Sequence, residues 1–218
     1  AVCTFMEHPL TLIAPEKCPP LLTTFDERVK LMEALGVDVL YAMPFDRNVM
    51  DMPPEDYVGQ LVRRFHPTDV VCGYNHTYGR QGKGTPALLS ALGDALGFAT
   101  SVVPKITLDG GEVSSTAIRA LLAQGDAARA ARLLGRPFMR QAAVVCREGE
   151  RFMLRMTPNG KQDVPRGKYR AVCSNGERRW PALICVQSEG RALCRLPQET
   201  QEHDEWAIDF LANVALKF

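Results

Sequence analysis

An apolar run, DVVC, leads into GYNHTYGRQGKGT, Gly73 to Thr85, where four glycines, two cations and a Gly-Lys pair stand together. These types suit a phosphorylated ligand: Gly73 and Gly79 let backbone approach it, Arg80 and Lys83 reach its oxygens, and the Asn75 amide serves a ribose or base. The plain alternative is a glycine-rich connection with solvated cations. A Walker loop is excluded. There Lys-Ser/Thr follows the second glycine directly, whereas Gly84 separates Lys83 from Thr85 and no glycine stands five places before Gly82. A second candidate is GGEVSSTAIRALL, in which Ser114, Ser115 and Thr116 precede an apolar-periodic stretch. One of them can cap a helix whose first amides face an anion, and the planar fork of Arg119 suits a phosphate. A simple N-cap with a solvent-facing arginine is the competing reading.

The elements that must carry these loops follow from periodicity. AVCTF reads as strand, FDERVKLMEALG as helix, VDVLYAMPF as strand, PPEDYVGQLVRRF as helix and DVVCGY as strand. PALLSALGDALG, ATSVVPKI, STAIRALLAQG and AARAARLLG continue as helix, strand, helix, helix. Short apolar strands alternating with helices predict a doubly wound α/β domain, its parallel sheet covered on both faces. The first glycine-rich loop then leaves the carboxyl end of a strand, where open α/β sheets bind ligands. The pattern changes at GRPFM. Beyond it, alternating runs punctuated by Ser-Asn-Gly and Ser-Glu-Gly turns predict a small, mainly β domain over 139–218, after an α/β domain over 1–138. WAIDFLANVALKF fits strand and helix equally.

With 26 Lys+Arg against 25 Asp+Glu, net charge points to neither nucleic acid nor membrane. No run approaches the ~18 apolar residues of a membrane span, and no signal-peptide pattern stands at the N-terminus, so the expected compartment is the cytoplasm. The seven cysteines are odd in number and lack a Cys-x-x-Cys pair, which reads as reduced thiols. The four histidines show no ligand spacing, so no protein-held metal is expected.

GYNHTYGRQGKG followed by VSSTAIRALLAQGDAARAARLLGRPF resembles the nucleotidyltransferase module of the bacterial FAD synthetase family, the bifunctional riboflavin kinases/FMN adenylyltransferases. TFMEHP resembles that family's Thr-Phe-x-x-His-Pro strand end, and LTTFDERVKLMEALGVDVLYAMPFD with PPEDYV fits its middle, so the likeness runs from Val2 to Phe138. The resemblance implies a Rossmann-like nucleotidyltransferase fold that transfers the adenylyl group of ATP to FMN, with Mg²⁺ on the phosphates. It implies that Asn75 contacts the nucleotide, that Ser114, Ser115, Thr116 and Arg119 hold ATP phosphates, and that His8 lies near the flavin phosphate or adenylyl site. His76 and Tyr78 read as packing. No covalent nucleophile is needed, because the FMN phosphate attacks the α-phosphorus and catalysis is alignment and charge stabilisation.

Two departures stand against the family pattern. Its Gly-x-Phe-Asp-Gly-x-His-x-Gly-His loop would lie upstream of AVCTF, so a segment before Ala1 is expected, without which nucleotide binding and catalysis would be poor. In the β half, PRGKYRAV resembles a strand of the kinase barrel, yet MTPNGK stands where Pro-Thr-Ala-Asn would, and RALCRLPQE offers no base. A degenerate kinase-like barrel is therefore expected, with phosphorylation lost. The alternatives are a catalytically silent flavin- or nucleotide-binding protein and another adenylyl- or cytidylyltransferase of the same superfold. Oligomeric state is not legible.

Overall fold

A computed structural model of the chain describes residues 1–188 and 190–214. By packing, these form two compact units: Ala1–Pro19 with Phe25–Thr107, and Pro20–Thr24 with the chain from Leu108 onward.

In the first unit, β1 (Val2–Phe5) is followed by α1 (Leu10–Ile13) and α2 (Phe25–Ala34) before β2 (Leu40–Met43) pairs with it in parallel, Val2 opposite Leu40 and Phe5 opposite Met43. Asp26 and Glu27 occupy the first turn of α2, where the helix dipole favours them. Arg28 fastens that helix to the end of β1 by bonds to Thr4 Oγ1 (2.8 Å) and the Phe5 carbonyl (2.9 Å). After α3 (Arg47–Met50), α4 (Pro54–Phe65) starts on a proline and ends on Arg63 and Arg64, again matching its dipole. A second parallel pair, β3 (Asp69–Gly73) with β4 (Ala99–Val103), is joined through α5 (Pro86–Leu96).

Helix α4 is anchored on both strand pairs. Phe65 meets Tyr41 of β2 edge to face at 5.1 Å, while Val58 joins Cys72, Tyr78, Leu89 and Phe98 in a buried cluster. The parallel, helix-linked strands agree with the α/β reading, but cover on both faces does not hold for β3 and β4. Val70 and Cys72 pack toward α4 and α5, whereas Val71, on the opposite face, is 65% exposed and Val103 is also exposed. Consecutive valines make both faces look buried in sequence; which face receives a helix is decided elsewhere in the chain.

A short hairpin, β5 (Thr107–Leu108) and β6 (Gly111–Glu112), lies where the units divide and turns through Asp109 and Gly110, both at positive φ. The second unit continues with α6 (Ser115–Ala123) and α7 (Ala127–Leu134). Six antiparallel strands follow: β7 (Phe138–Glu148), β8 (Arg151–Met156), β9 (Gly167–Ser174), β10 (Arg179–Val186), β11 (Arg191–Cys194) and β12 (Glu205–Asn213). They close into a barrel in the order β10-β11-β8-β7-β12-β9, which removes every free edge. Alternate residues point inward. Phe138, Ala142 and Val144 of β7, Tyr169, Ala171 and Cys173 of β9, and Trp206, Ile208 and Phe210 of β12 are buried together with Ile118 and Leu122 of α6 and Ala127 and Ala130 of α7. The two helices therefore share the barrel's core.

PRGKYRAV is β9, and the ambiguous WAIDF segment is strand β12, with residues 215–218 outside the described residues. The Ser-Asn-Gly turn joins β9 to β10; Glu189 of the Ser-Glu-Gly stretch is also outside them. Among the described residues, no helix is long and apolar enough to cross a membrane.

Candidate nucleotide-binding loops

The loop after β3 is held from within. Tyr74 N–H donates to the Val103 carbonyl (2.9 Å), extending the ladder, and His76 N–H returns to the Gly73 carbonyl (3.0 Å) to turn the chain back. Tyr78 and Gly84 then exchange backbone bonds of 3.2 and 2.8 Å, closing a small bridge around a 3-10 turn at Arg80–Gly82. Thr85 ends the loop as N-cap of α5, its hydroxyl accepting from Leu88 N–H at 3.2 Å. Asn75, Arg80 and Lys83 lie exposed on this frame.

The glycines divide by role. A Cβ on Gly79 would come within 2.7 Å of Pro54 backbone, at φ +68°, and one on Gly84 within 2.5 Å of the Tyr78 ring, so both are required by packing. Gly73 is different. Its φ is not positive, and an added Cβ would meet only Asn75 Oδ1, at 3.5 Å. Among the described contacts, nothing demands glycine there. Tyr78 is buried, stacked with His76 at 5.5 Å and tilted against Tyr57 at 5.7 Å, as a packing residue should be. Burial, with nearby Cys3, Tyr41 and Tyr78, pushes the Tyr57 hydroxyl up to about 12, so it stays a neutral donor. Desolvation moves the His76 imidazole down.

His8 turns the chain from β1 into α1. Its Nδ1 accepts from Leu10 N–H (3.2 Å), and its carbonyl accepts from the Thr11 amide (2.8 Å) and hydroxyl (2.7 Å). With Nδ1 accepting, the ring nitrogen left to donate is Nε2.

The second loop resolves the capping question for Ser114, whose Oγ accepts from Ala117 N–H at 3.2 Å. Ser115 and Thr116 occupy the exposed first turn of α6, where unpaired amides and the helix dipole suit an anion. Arg119 is half-buried and donates through Nε to the Pro20 carbonyl at 2.6 Å. His8 and the Gly73–Thr85 loop belong to the first unit, Ser114 to Arg119 to the second.

At one end of the barrel, Arg140 is only 3% exposed. It donates to the carbonyls of Thr157 (2.9 Å), Lys161 (3.3 Å) and Gln162 (3.0 Å) and pairs with the Asp163 carboxylate, while its Nε has no hydrogen-bond partner. Asn159 Oδ1 accepts from Lys161 N–H at 3.3 Å. A cavity of about 270 Å³ beside this guanidinium is lined by Met156, Val164, Pro165 and Val186. Sequence reasoning passed over Arg140; an arginine on the inward register of an otherwise apolar strand was the signal available. Among the described residues, no group of three or more His, Cys, Asp or Glu could hold a metal ion.

An α/β unit with helix-linked parallel strands and a phosphate-suited loop at a strand end, followed by a closed six-stranded barrel, defines a nucleotidyltransferase-like chain with an appended β domain. Residues 1–117 match the FAD synthetase family, and the chain belongs to it. It is 32% identical over 146 residues to a bifunctional riboflavin kinase/FMN adenylyltransferase of Bacillus subtilis and 30% identical over 146 residues to one of Listeria monocytogenes. Each match takes in 66% of this chain and 46% of the relative, so the matched region spans about half the length of these proteins. A crystal structure described as a macrolide-efflux protein from Streptococcus pneumoniae superposes with a TM-score of 0.84 at 21% identity, covering 99% of this chain and 75% of that one. At that identity the likeness is one of fold.

Proposed function

We propose that the protein transfers the adenylyl group of ATP to FMN, giving FAD and pyrophosphate. In this reaction an FMN phosphate oxygen forms a bond to the α-phosphorus, the bond from that phosphorus to the bridging oxygen breaks, and pyrophosphate leaves with the electron pair. No side-chain nucleophile enters. The observation that carries the reading is the loop after β3, where Gly73 has no packing reason to be glycine and Asn75, Arg80 and Lys83 of the same loop are exposed.

Asn75 orients the nucleoside, and Arg80 and Lys83 neutralise phosphate charge. The Ser115 and Thr116 amides with Arg119 form a second phosphate-binding group at the start of α6. His8, a donor through Nε2, takes an oxygen of the flavin phosphate. Mg²⁺ arrives with the nucleotide phosphates, as that ion usually does, since the described residues hold no acidic cage for it.

Riboflavin phosphorylation is absent from this reading. The loop 157–163 commits three carbonyls and the Asp163 carboxylate to Arg140, and Asn159 Oδ1 to Lys161 N–H, contacts made within the barrel domain itself. ATP labelled at the α-phosphorus tests the proposal: with FMN the label should appear in FAD, and Asn75→Ala should reduce that transfer strongly. Label that remains in ATP with the unsubstituted protein contradicts it.

A further inference from the structure

Residues Pro20–Thr24 pack with the second unit although the chain on either side belongs to the first. The insertion is bonded on both flanks. Leu21 N–H donates to the Gly160 carbonyl and Gln162 N–H to the Leu21 carbonyl, both at 2.8 Å, pairing Leu21 with Lys161 in a parallel bridge. Leu22 packs against the core shared by α6, α7 and the barrel. One residue earlier, the Pro20 carbonyl accepts the Arg119 Nε–H at 2.6 Å. The barrel loop on the far side is itself fixed, through the Arg140 bonds to Thr157, Lys161 and Gln162 and through Lys161 Nζ on the Met139 carbonyl at 2.6 Å. A continuous path of bonds thus runs from Arg140, through loop 157–162 and the Pro20–Leu21 strap, to Arg119.

We infer that this strap is a positioning element for Arg119, and that the barrel serves adenylyl transfer by holding it. The inference rests on the reading of α6 as a phosphate-binding end. A guanidinium is planar and rigid, so fixing Nε fixes the directions of both terminal nitrogens. An arginine free to rotate must be ordered when ligand binds, at a cost in affinity; one already bonded at Nε loses less. Pro19 and Pro20 stiffen the strap, because each locks φ. The barrel therefore has a task that does not require phosphorylation. It sets the angle at which Arg119 meets a nucleotide phosphate.

Two substitutions test this without touching Ser115, Thr116 or Arg119. Leu21→Pro removes the N–H that reaches Gly160, and Leu22→Ala removes the strap's apolar anchor, so each loosens the segment whose Pro20 carbonyl holds Arg119 Nε–H. Hydrogen exchange at Arg119 Nε–H by ¹⁵N NMR, Mg²⁺-ATP affinity by calorimetry, and protection of the Ile184 and Ile208 amides as a check on the barrel would be measured on the intact protein. With the barrel protected, both variants should speed Arg119 Nε–H exchange, about fivefold for one lost hydrogen bond. ATP affinity should fall roughly two- to tenfold, the cost of reordering one long side chain. Unchanged exchange in both variants overturns the strap. Faster exchange with unchanged ATP affinity overturns its positioning role alone. If ATP leaves the Arg119 signal of the unsubstituted protein unmoved while the variants still free it, the phosphate reading of α6 fails, and the strap is a structural clasp only.

Discussion

Replacing Gly84 and Gly73 in turn separates packing from ligand approach within one loop. A Cβ on Gly84 would stand 2.5 Å from Tyr78 Cδ2 and 2.6 Å from both Cε2 and Cγ. Carbon atoms rest at about 3.5–4.0 Å, so the ring would have to retreat by ~1 Å. It has little room to do so, being buried with Tyr57 and His76 against it. Overpacking of this kind costs about 2 kcal/mol, and the Tyr78–Gly84 bridge must distort as well. For a chain of this size that corresponds to a fall in Tm of about 4–8 °C. Gly73→Ala adds a methyl whose nearest neighbour is Asn75 Oδ1 at 3.5 Å, an ordinary contact. Its Tm should stay within the change of about 0.5 kcal/mol typical of unconstrained sites. If the proposed close approach of ATP at Gly73 holds, its affinity should nevertheless fall about tenfold, equivalent to ~1.4 kcal/mol, because the methyl would stand between backbone and ligand. Calorimetric unfolding and ATP titration on both variants decide the matter. Wild-type ATP affinity in Gly73→Ala refutes the approach argument, and an unshifted Tm in Gly84→Ala refutes the packing argument.

Two further outcomes follow from the barrel. Arg140→Ala strands the Thr157, Lys161 and Gln162 carbonyls and opens a void, so it should cost about 3 kcal/mol or more, with amide exchange rising first across loop 157–163; a Tm within error of the unsubstituted protein contradicts this. Burial raises the Asp209 carboxyl above its ordinary value, outweighing the downward pull of Arg179, Arg136 and Lys161. The folded state therefore holds this proton more tightly than the unfolded chain does, and the stability this contributes is full below the ordinary aspartate pKa and lost as pH rises through the raised one. Asp209→Asn should raise Tm at about pH 7 and leave it unchanged at about pH 3, in paired thermal melts; a lower Tm at the higher pH would mean that the Arg179 pair dominates.

The sequence showed the strand and helix alternation of the first unit because each element carries its own period, and Gly-rich or Pro-containing breaks separate them. It did not show what lies against each element. The stripe of α7 marks Ala127 and Ala130 as buried, but only the fold reveals that they pack in the barrel's core. Trp206, Ile208 and Phe210 alternate as a strand should, yet Trp206 and Phe210 also stand one helical turn apart, so the local pattern could not choose; pairing with β7 and β9 does. In the first loop, the residue types were legible and the glycine roles were not. Whether a missing Cβ serves a ligand or makes room for Pro54 or Tyr78 depends on atoms distant in sequence. Arg119 shows the same limit, since its bond to the Pro20 carbonyl joins residues 99 positions apart.

The central claim is adenylyl transfer to FMN without phosphorylation of riboflavin. Incubation of the intact protein with Mg²⁺-ATP and either FMN or riboflavin, followed by chromatographic separation of the flavins, tests both halves together. FAD from FMN, with riboflavin recovered unchanged, is the predicted result. FMN formed from riboflavin would contradict the reading of the Arg140 loop, and absence of FAD in the FMN reaction would contradict the account of the nucleotide-binding loops.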